Sequence, residues 1–443
     1  MIQDVAIIGN GIVGQIAIQE LLDAGLKIVV IDQINSSPQV RFHRDLEGKQ
    51  SVWTRGTRVA GFPGGRLNWG QNCSFATIEG HPPLGNEFQT LLPNLTKRLR
   101  RHGFPRLKPC ELSISHTSKF YVRESFKFSP NQWMSRMKLN KNIQFIAGIA
   151  TEVLQDSGDL VKIIYRDSNN SLQDVTARKI LICAGPFGSQ ELLANSGLLE
   201  NCTPQIWDHP SIDLGIFPLQ QVKLAKFGLF GWNRFRRLNL KSCFTFYDHR
   251  NNILWTLRIF PWDVLNYNLI VTRIKTYAIE GDFKPFVFLL LKLASSFITG
   301  RLLHEQIKVH LAADFLDESN AIKFASYGEE GRIDFLEYQG GPPTISNELN
   351  QFICESIKNL KLNLKKEIVS FNSPEPSDIQ SSSHHAGTLA GKSRNSEDSP
   401  MEITRNVFVA GSSIFRRSLP GHPTMMAAAT AIVAADLIKS QLA

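Results

Sequence analysis

The chain has no closely spaced cysteine pairs and no basic, apolar start, and the most apolar stretch of its middle is short of membrane length; each scarcity argues against a class of protein. Its six cysteines lie at 73, 110, 183, 202, 243 and 354, with no Cys-x-x-Cys pair and no His/Cys cluster at zinc spacing. That scatter argues against a disulfide scaffold or a structural metal and for reduced thiols in a cytoplasmic protein. Met1, Ile2, Gln3 and Asp4 supply no basic start and leave no room for an apolar core before Val5, so no signal peptide is expected. Phe283 to Ile298 is nearly all apolar, yet it falls short of the roughly 20 residues of a membrane helix and carries Lys284 and Lys292, which predicts a buried helix there. Charged residues make up 20% and hydrophobic ones 42%, which excludes wholesale disorder. A net charge of +9 suits a carboxylated or phosphorylated substrate or an anionic surface, but a mildly basic soluble enzyme has the same balance. At 443 residues the chain exceeds one compact core, so two domains are expected, the second inserted into the first.

What is present begins at the N-terminus. Asp4 to Ile8 is a short apolar strand, Gly9-x-Gly11-x-x-Gly14 opens a helix that Gly25 stops, and a second strand from Lys27 ends at Asp32. Strand, three spaced glycines, helix, strand and acid form a dinucleotide fingerprint. Gly9 makes the turn, Gly11 lets a pyrophosphate reach the backbone, Gly14 allows helix and strand to pack, and Asp32 accepts from ribose hydroxyls. An acid here disfavours a 2′-phosphate, and so NADP, but does not by itself separate FAD from NAD. A second glycine-dense loop contains Gly64, Gly65, Asn68, Trp69 and Gly70, more than a plain NAD domain needs.

Further along, Ile143 to Val153 and Leu160 to Tyr165 read as antiparallel strands. Lys179 to Cys183 reads as a buried strand entering Ala184 and Gly185, and Ser189 to Asn195 as a helix with Ser189 a candidate cap. Ile253 to Ile259, Val271 to Ile274 and Ile307 to Ala313 read as strands of a second sheet. Lys223 to Lys241 interleaves aromatic with basic residues, the pattern of a lid turned onto the core or of contact with an anionic membrane surface. Near the C-terminus, His384 precedes Gly387 and Thr388, a strand from Asn406 to Ala410 enters Gly411, Ser412 and Ser413, and His422, Pro423 and Thr424 open an Ala-rich helix. Such a helix start offers unpaired N–H groups to a ring that gathers negative charge.

The N-terminal fingerprint, the segment from Lys179 to Gly197 and the His-x-x-Gly-Thr, Gly-Ser-Ser and His-Pro-Thr series together resemble the glucose–methanol–choline oxidoreductases, flavin enzymes that oxidise alcohols and sugars. The resemblance implies an α/β (α+β overall) fold: a Rossmann-like three-layer FAD-binding domain with an inserted antiparallel-sheet substrate domain. It implies a first FAD-binding part at 1–200, the substrate domain at 201–370 and a return at 371–443. It assigns Gly64, Gly65, Asn68, Trp69 and Gly70 to the FAD pyrophosphate and flavin edge, Ala150 to the adenine, and Ala184, Gly185, Gly411, Ser412, Pro423 and Thr424 to the cofactor. None of residues 61–74 is histidine, so FAD is expected without a histidyl bond.

The same resemblance puts His384 and His422 on either side of a substrate hydroxyl, with His384 favoured as the base. Arg416 and Arg417 depart from the family pattern, which has proline or small residues there, and suggest a substrate with an anionic group; pairing with Glu397 or Asp398 is the plainer account. The expected activity is hydride transfer from a CH–OH group of an alcohol or sugar to FAD. Two readings compete: another two-dinucleotide flavoprotein with structural histidines, and a non-catalytic, membrane-associated flavin-binding protein. No nucleic-acid partner is expected.

Overall fold

The computed structural model describes residues 2–32, 39–40, 59–60, 72–73, 75–80, 84, 86–112, 119–122, 124–125, 137, 140–155, 159–199, 205–207, 211–218, 242–261, 287–288, 290–291, 306–316, 322–327, 333–338, 346–359, 379–380, 386–389, 401–416, 419 and 423–443. In chain order the first elements are β1 (Gln3–Ile8), α1 (Ile12–Leu22), β2 (Ile28–Asp32), β3 (Ala76–Ile78), α2 (Asn86–Arg101), β4 (Cys110–Leu112) and β5 (Lys119–Val122). The long strands β6 (Ile143–Gln155), β7 (Val161–Asp167) and β8 (Leu172–Ile182) follow, then α3 (Gly185–Asn195). Next come β9 (Ser211–Pro218), β10 (Ser242–Asp248), β11 (Ile253–Pro261), β12 (Gln306–Phe315) and α4 (Asn347–Asn359). The chain closes with β13 (Ile379–Gln380), β14 (Glu402–Thr404), β15 (Val407–Val409) and α5 (Thr424–Leu442).

The first sheet is built on β1, whose Val5, Ala6 and Ile7 are fully buried. β1 lies parallel between β2 and β8, β2 is flanked in turn by β6, and β8 by β15. Near-continuous apolar strands such as Ile28 to Ile31 suit a parallel sheet covered on both faces. β6 and β8 each have two sets of neighbours. Residues 143–147 of β6 run parallel to β2, whereas 148–155 pair antiparallel with β7. β8 mirrors this, antiparallel to β7 up to Ala177 and parallel to β1 from there. The expected antiparallel pair is therefore present, made of the far half of β6 and the whole of β7, with the first half of β8 as a third strand.

α5 closes this domain. Ala428, Ala429, Ala431, Ala434 and Ala435 are fully buried, and such small side chains let it pack against α1. It is the described helix long and apolar enough to cross a membrane, and its apolar residues are spent on the core instead. Lys179 of β8 ties its far end down: the ammonium donates to the Arg405 carbonyl at 2.9 Å, Asn406 Oδ1 at 2.8 Å and Gln441 Oε1 at 2.8 Å.

α2 was not anticipated. Phe88, Leu92, Leu95 and Leu99 are all buried, a helical stripe at spacings of three and four, and Pro93 stands on the exposed side. The helix also brings Arg98 to Glu20 of α1 and to Asp436 of α5, and His102, just after its end, to Glu20. Three other expectations need correction. Ser189 is no cap, because α3 begins at Gly185 and Ser189 is buried within it. α1 ends at Leu22 rather than Ala24. Of the segment expected to be a buried helix, the described residues Val287, Phe288, Leu290 and Leu291 are helical but exposed. Val271 to Ile274 and Lys223 to Lys241 lie outside the described residues.

The second sheet runs β13-β9-β12-β11-β10-β5, antiparallel throughout. It draws Lys119–Val122 and Ile379–Gln380 from outside 201–370.

The α1–α2–α5 junction yields a pH prediction. Burial pushes the Glu20 carboxyl up, but hydrogen bonds from His102 and Arg98, with their charges, outweigh it and bring the pKa down from 4.5 to about 2. A carboxylate with a depressed folded pKa stabilises above its unfolded pKa, and the contribution disappears as pH falls through the folded value. The Tm difference between wild type and Glu20→Gln should thus be largest above pH 4.5 and close as pH falls toward about 2. A difference independent of pH in thermal melts would contradict the network.

Candidate functional site

Three strands of the first sheet end at one place, and a glycine turn follows each. β1 runs into Gly9, β8 into Cys183, Ala184 and Gly185, and β15 into Ala410 and Gly411. The fit is tight at the backbone. A Cβ on Gly9 would stand 2.6 Å from the Cys183 carbonyl oxygen, and Gly9 holds φ +94. A Cβ on Gly14 would stand 2.1 Å from the Gly9 carbonyl oxygen. Gly11 differs: among the described residues nothing lies within 4 Å of where its Cβ would be. The first and third glycines are thus required by protein packing, and the middle one faces open space. That is the arrangement that a pyrophosphate lying against the α1 N-terminus requires.

The other two turns are drawn in by hydrogen bonds. The Gly411 N–H donates to Thr430 Oγ1 of α5 at 2.8 Å, and that hydroxyl donates to the Ala427 carbonyl at 2.7 Å. The position of a Gly411 Cβ would be 3.7 Å from Val13 in the first turn of α1. Residues 386–389 lie on top of this junction. The Gly387 N–H donates to the Ser412 carbonyl at 2.9 Å and the Leu389 N–H to the Ser413 carbonyl at 2.7 Å. The Thr388 hydroxyl donates to the Pro186 carbonyl at 2.8 Å. Ala386 exchanges two backbone bonds of 2.8 Å with Trp207. Gly387 is obligatory here, since it has φ +87 and a Cβ would stand 2.4 Å from the Trp207 ring.

Helices α1, α3 and α5 have Gly11, Ala184 and Pro423 as N-caps, none of which supplies a side-chain cap, and α3 has a proline in its first turn. α1 and α3 follow the parallel strands β1 and β8 directly, and the contacts of Thr430 with Gly411 and of Gln441 with Lys179 set α5 running the same way, so the positive ends of the three helix dipoles lie on the strand-end side of the sheet. Chemically this favours a ligand with negative charge spread along its length.

Of the candidate residues, Gly9, Gly11, Gly14, Ala184, Gly185, Gly411, Ser412, Pro423 and Thr424 stand at or beside these turns. Asp32 ends β2 and is half-buried. Its neighbour across the ladder is Ala147; Ala150 is three residues further on, beside a bulge where β6 has left the parallel sheet. Arg416 is half-buried just after the Ser412–Ile414 turn. His384, His422, Arg417, Gly64, Gly65, Asn68, Trp69 and Gly70 lie outside the described residues. Sequence reasoning missed Trp207 and Thr430. Thr430 is the Thr in an Ala-rich buried helix face, a signal that was available; the Trp207 contact is long-range and left none.

This arrangement is a Rossmann-like α/β fold, a mixed sheet accompanied by an antiparallel one. Among solved structures the chain is similar to the crystal structure of pyridoxine 4-oxidase from Mesorbium loti. The TM-score is 0.58 over 98% of this chain and 99% of that one, at 11% identity. No protein-family model matches the chain, and no curated protein does.

The glycines give a test that separates packing from ligand binding. Gly11→Ala should cost at most about 1 kcal/mol of apoprotein stability, the scale of an N-cap change, yet weaken dinucleotide binding at least about tenfold. Gly14→Ala should lower the apoprotein Tm by several degrees as well, because helix and turn must separate. Thermal melts of apoprotein and titration with FAD read the two effects; equal behaviour of the two variants would overturn the distinction.

Proposed function

We propose that the chain is an FAD-dependent oxidoreductase of the glucose–methanol–choline type, oxidising a CH–OH group of an alcohol or sugar. The observation that carries this is the convergence of three helix starts without side-chain caps at strand ends where Gly11 leaves open space. The likeness in fold to a pyridoxine oxidase over almost the whole chain supports it. Gly11 and the α1 N-terminus would hold the pyrophosphate, Asp32 the ribose, and the α5 N-terminus at Pro423 and Thr424 the ring system. FAD, when bound, supplies the hydride acceptor.

The chain's own part is proton handling and orientation. His384 takes the hydroxyl proton on a ring nitrogen as the carbinol hydrogen leaves as hydride, and the alcohol becomes a carbonyl. His422 fixes the hydroxyl by a hydrogen bond. The bonds from Gly387 and Leu389 to the Ser412–Ser413 turn hold the segment that follows His384 against the helix-start cluster. Arg416, with Arg417, would receive an anionic group of the substrate, a uronic or phosphorylated sugar suiting the net charge of +9.

Two measurements test this reading. Acid precipitation of purified protein should release one FAD per chain, since residues 61–74 offer no histidine for a covalent bond; flavin that stays in the pellet would contradict that. His384→Ala and His422→Ala should each slow anaerobic flavin reduction by an alcohol or sugar at least about 10²-fold with FAD retained. His385→Ala should cost much less, and equal small losses at all three would move the chemistry elsewhere.

A further inference from the structure

Large apolar side chains on the surface of the described residues are unevenly spread. Ile2 and Leu91 stand singly, as such residues commonly do. Val287, Phe288, Leu290 and Leu291 instead stand together in one helical stretch, 45%, 57%, 39% and 64% exposed. At about 100° per residue these positions cover roughly 160° of a helix circumference, a broad apolar face turned outward. A contiguous face of this kind marks a docking surface rather than a solvated helix.

The register of the second sheet shows where this face springs from. β11 ends at Pro261, opposite Ile307, and β9 ends at Pro218, opposite Gln306 at the start of β12. β10 begins at the same end, since its Cys243 stands opposite Arg258. The chain between Pro218 and Ser242 and the chain between Pro261 and Gln306 therefore both leave and re-enter at one end of the sheet. The first carries the basic and aromatic stretch from Lys223 to Lys241, the second the exposed apolar residues. This end of β9 is the one remote from Trp207, which precedes Ser211 and bonds Ala386 beside the strand-end turns.

Charge selects the occupant. Between Asp282 and Glu305 the sequence has Lys284, Lys292 and Arg301 and no acid, and between Asp213 and Asp248 every charged residue is Lys or Arg. In a symmetric contact between two copies the same patch meets itself, so these like charges would be brought together. An anionic bilayer suits both features: its headgroup boundary takes an apolar helix face, and its surface potential attracts Lys and Arg. We propose that the protein docks on anionic lipid through this end of the second sheet, with Val287, Phe288, Leu290 and Leu291 entering the headgroup boundary. The helix lies on the bilayer and does not cross it, because the apolar run from Phe283 to Ile298 is short of the roughly 20 residues that crossing needs. The inference stands apart from the flavin–alcohol reading, and docking at this end leaves the strand-end turns uncovered.

The test is co-sedimentation of the purified full chain with vesicles of phosphatidylcholine and phosphatidylglycerol in equal parts, and with vesicles of phosphatidylcholine alone. The wild type should bind the mixed vesicles at least about tenfold more tightly than the neutral ones, and more weakly as salt rises. Val287→Glu combined with Leu291→Glu changes only exposed positions, so the Tm and the circular dichroism should stay as in the wild type while binding falls at least about tenfold. Val287→Ser combined with Leu291→Ser adds no charge and should also weaken binding, which separates entry of the apolar face from attraction of the basic residues. No wild-type binding to either kind of vesicle, equal binding to both, or binding unchanged in both double variants would overturn the proposal. A wild-type dimer in sedimentation velocity that Leu291→Glu dissolves would overturn it too, by giving the face to a second copy.

Discussion

The backbone contact between the turn after β1 and the turn after β8 is what the rest of the first domain depends on. With the Gly9 Cβ position 2.6 Å from one carbonyl and the Gly14 Cβ position 2.1 Å from another, neither residue can carry a side chain unless strands and helix move apart. That closeness fixes where α1 starts and how far it stands from the sheet. α5 can then pack on α1 through its alanines, and its Thr430 reaches back to Gly411. The helix starts converge because backbone meets backbone with nothing between.

Seen in this way, the recurrent C-terminal residues divide by role. Gly387, Thr388 and Gly411 are positioning residues: one avoids the Trp207 ring, one reaches the Pro186 carbonyl, and one joins the third strand to α5. Their bonds link four separate stretches of chain, near 186, 387, 411 and 430.

How much of this was legible in the sequence follows from the range of the forces involved. The fingerprint from Gly9 to Asp32 was readable because its constraints are local, and so were the strand and helix of the C-terminal return. β6 and β8 were half-read: apolar periodicity reveals a strand but not a change of partner at Gly148 or Ala177. α2 was missed because Pro93 and a basic last turn obscured the stripe of Phe88, Leu92, Leu95 and Leu99. The segment near Phe288 was misjudged because apolar composition does not say which way a helix faces.

The same reasoning explains why resemblance to a family fades over the second sheet. A dinucleotide cradle is made mostly of backbone, so its demands fall on glycines and on helix starts, which leave a mark at fixed spacing. A sheet face is made of side chains brought into register across strands. Thr245, Thr256 and Asp314 are far apart in the chain, and β11, with six apolar residues from Ile253 to Phe260, gives no clean alternation to show which face Thr256 takes. Only the pairing of β10, β11 and β12 shows that these residues share a face and that its polar groups are sealed from water. A backbone turn is thus written along the chain, while a sheet face is written across it.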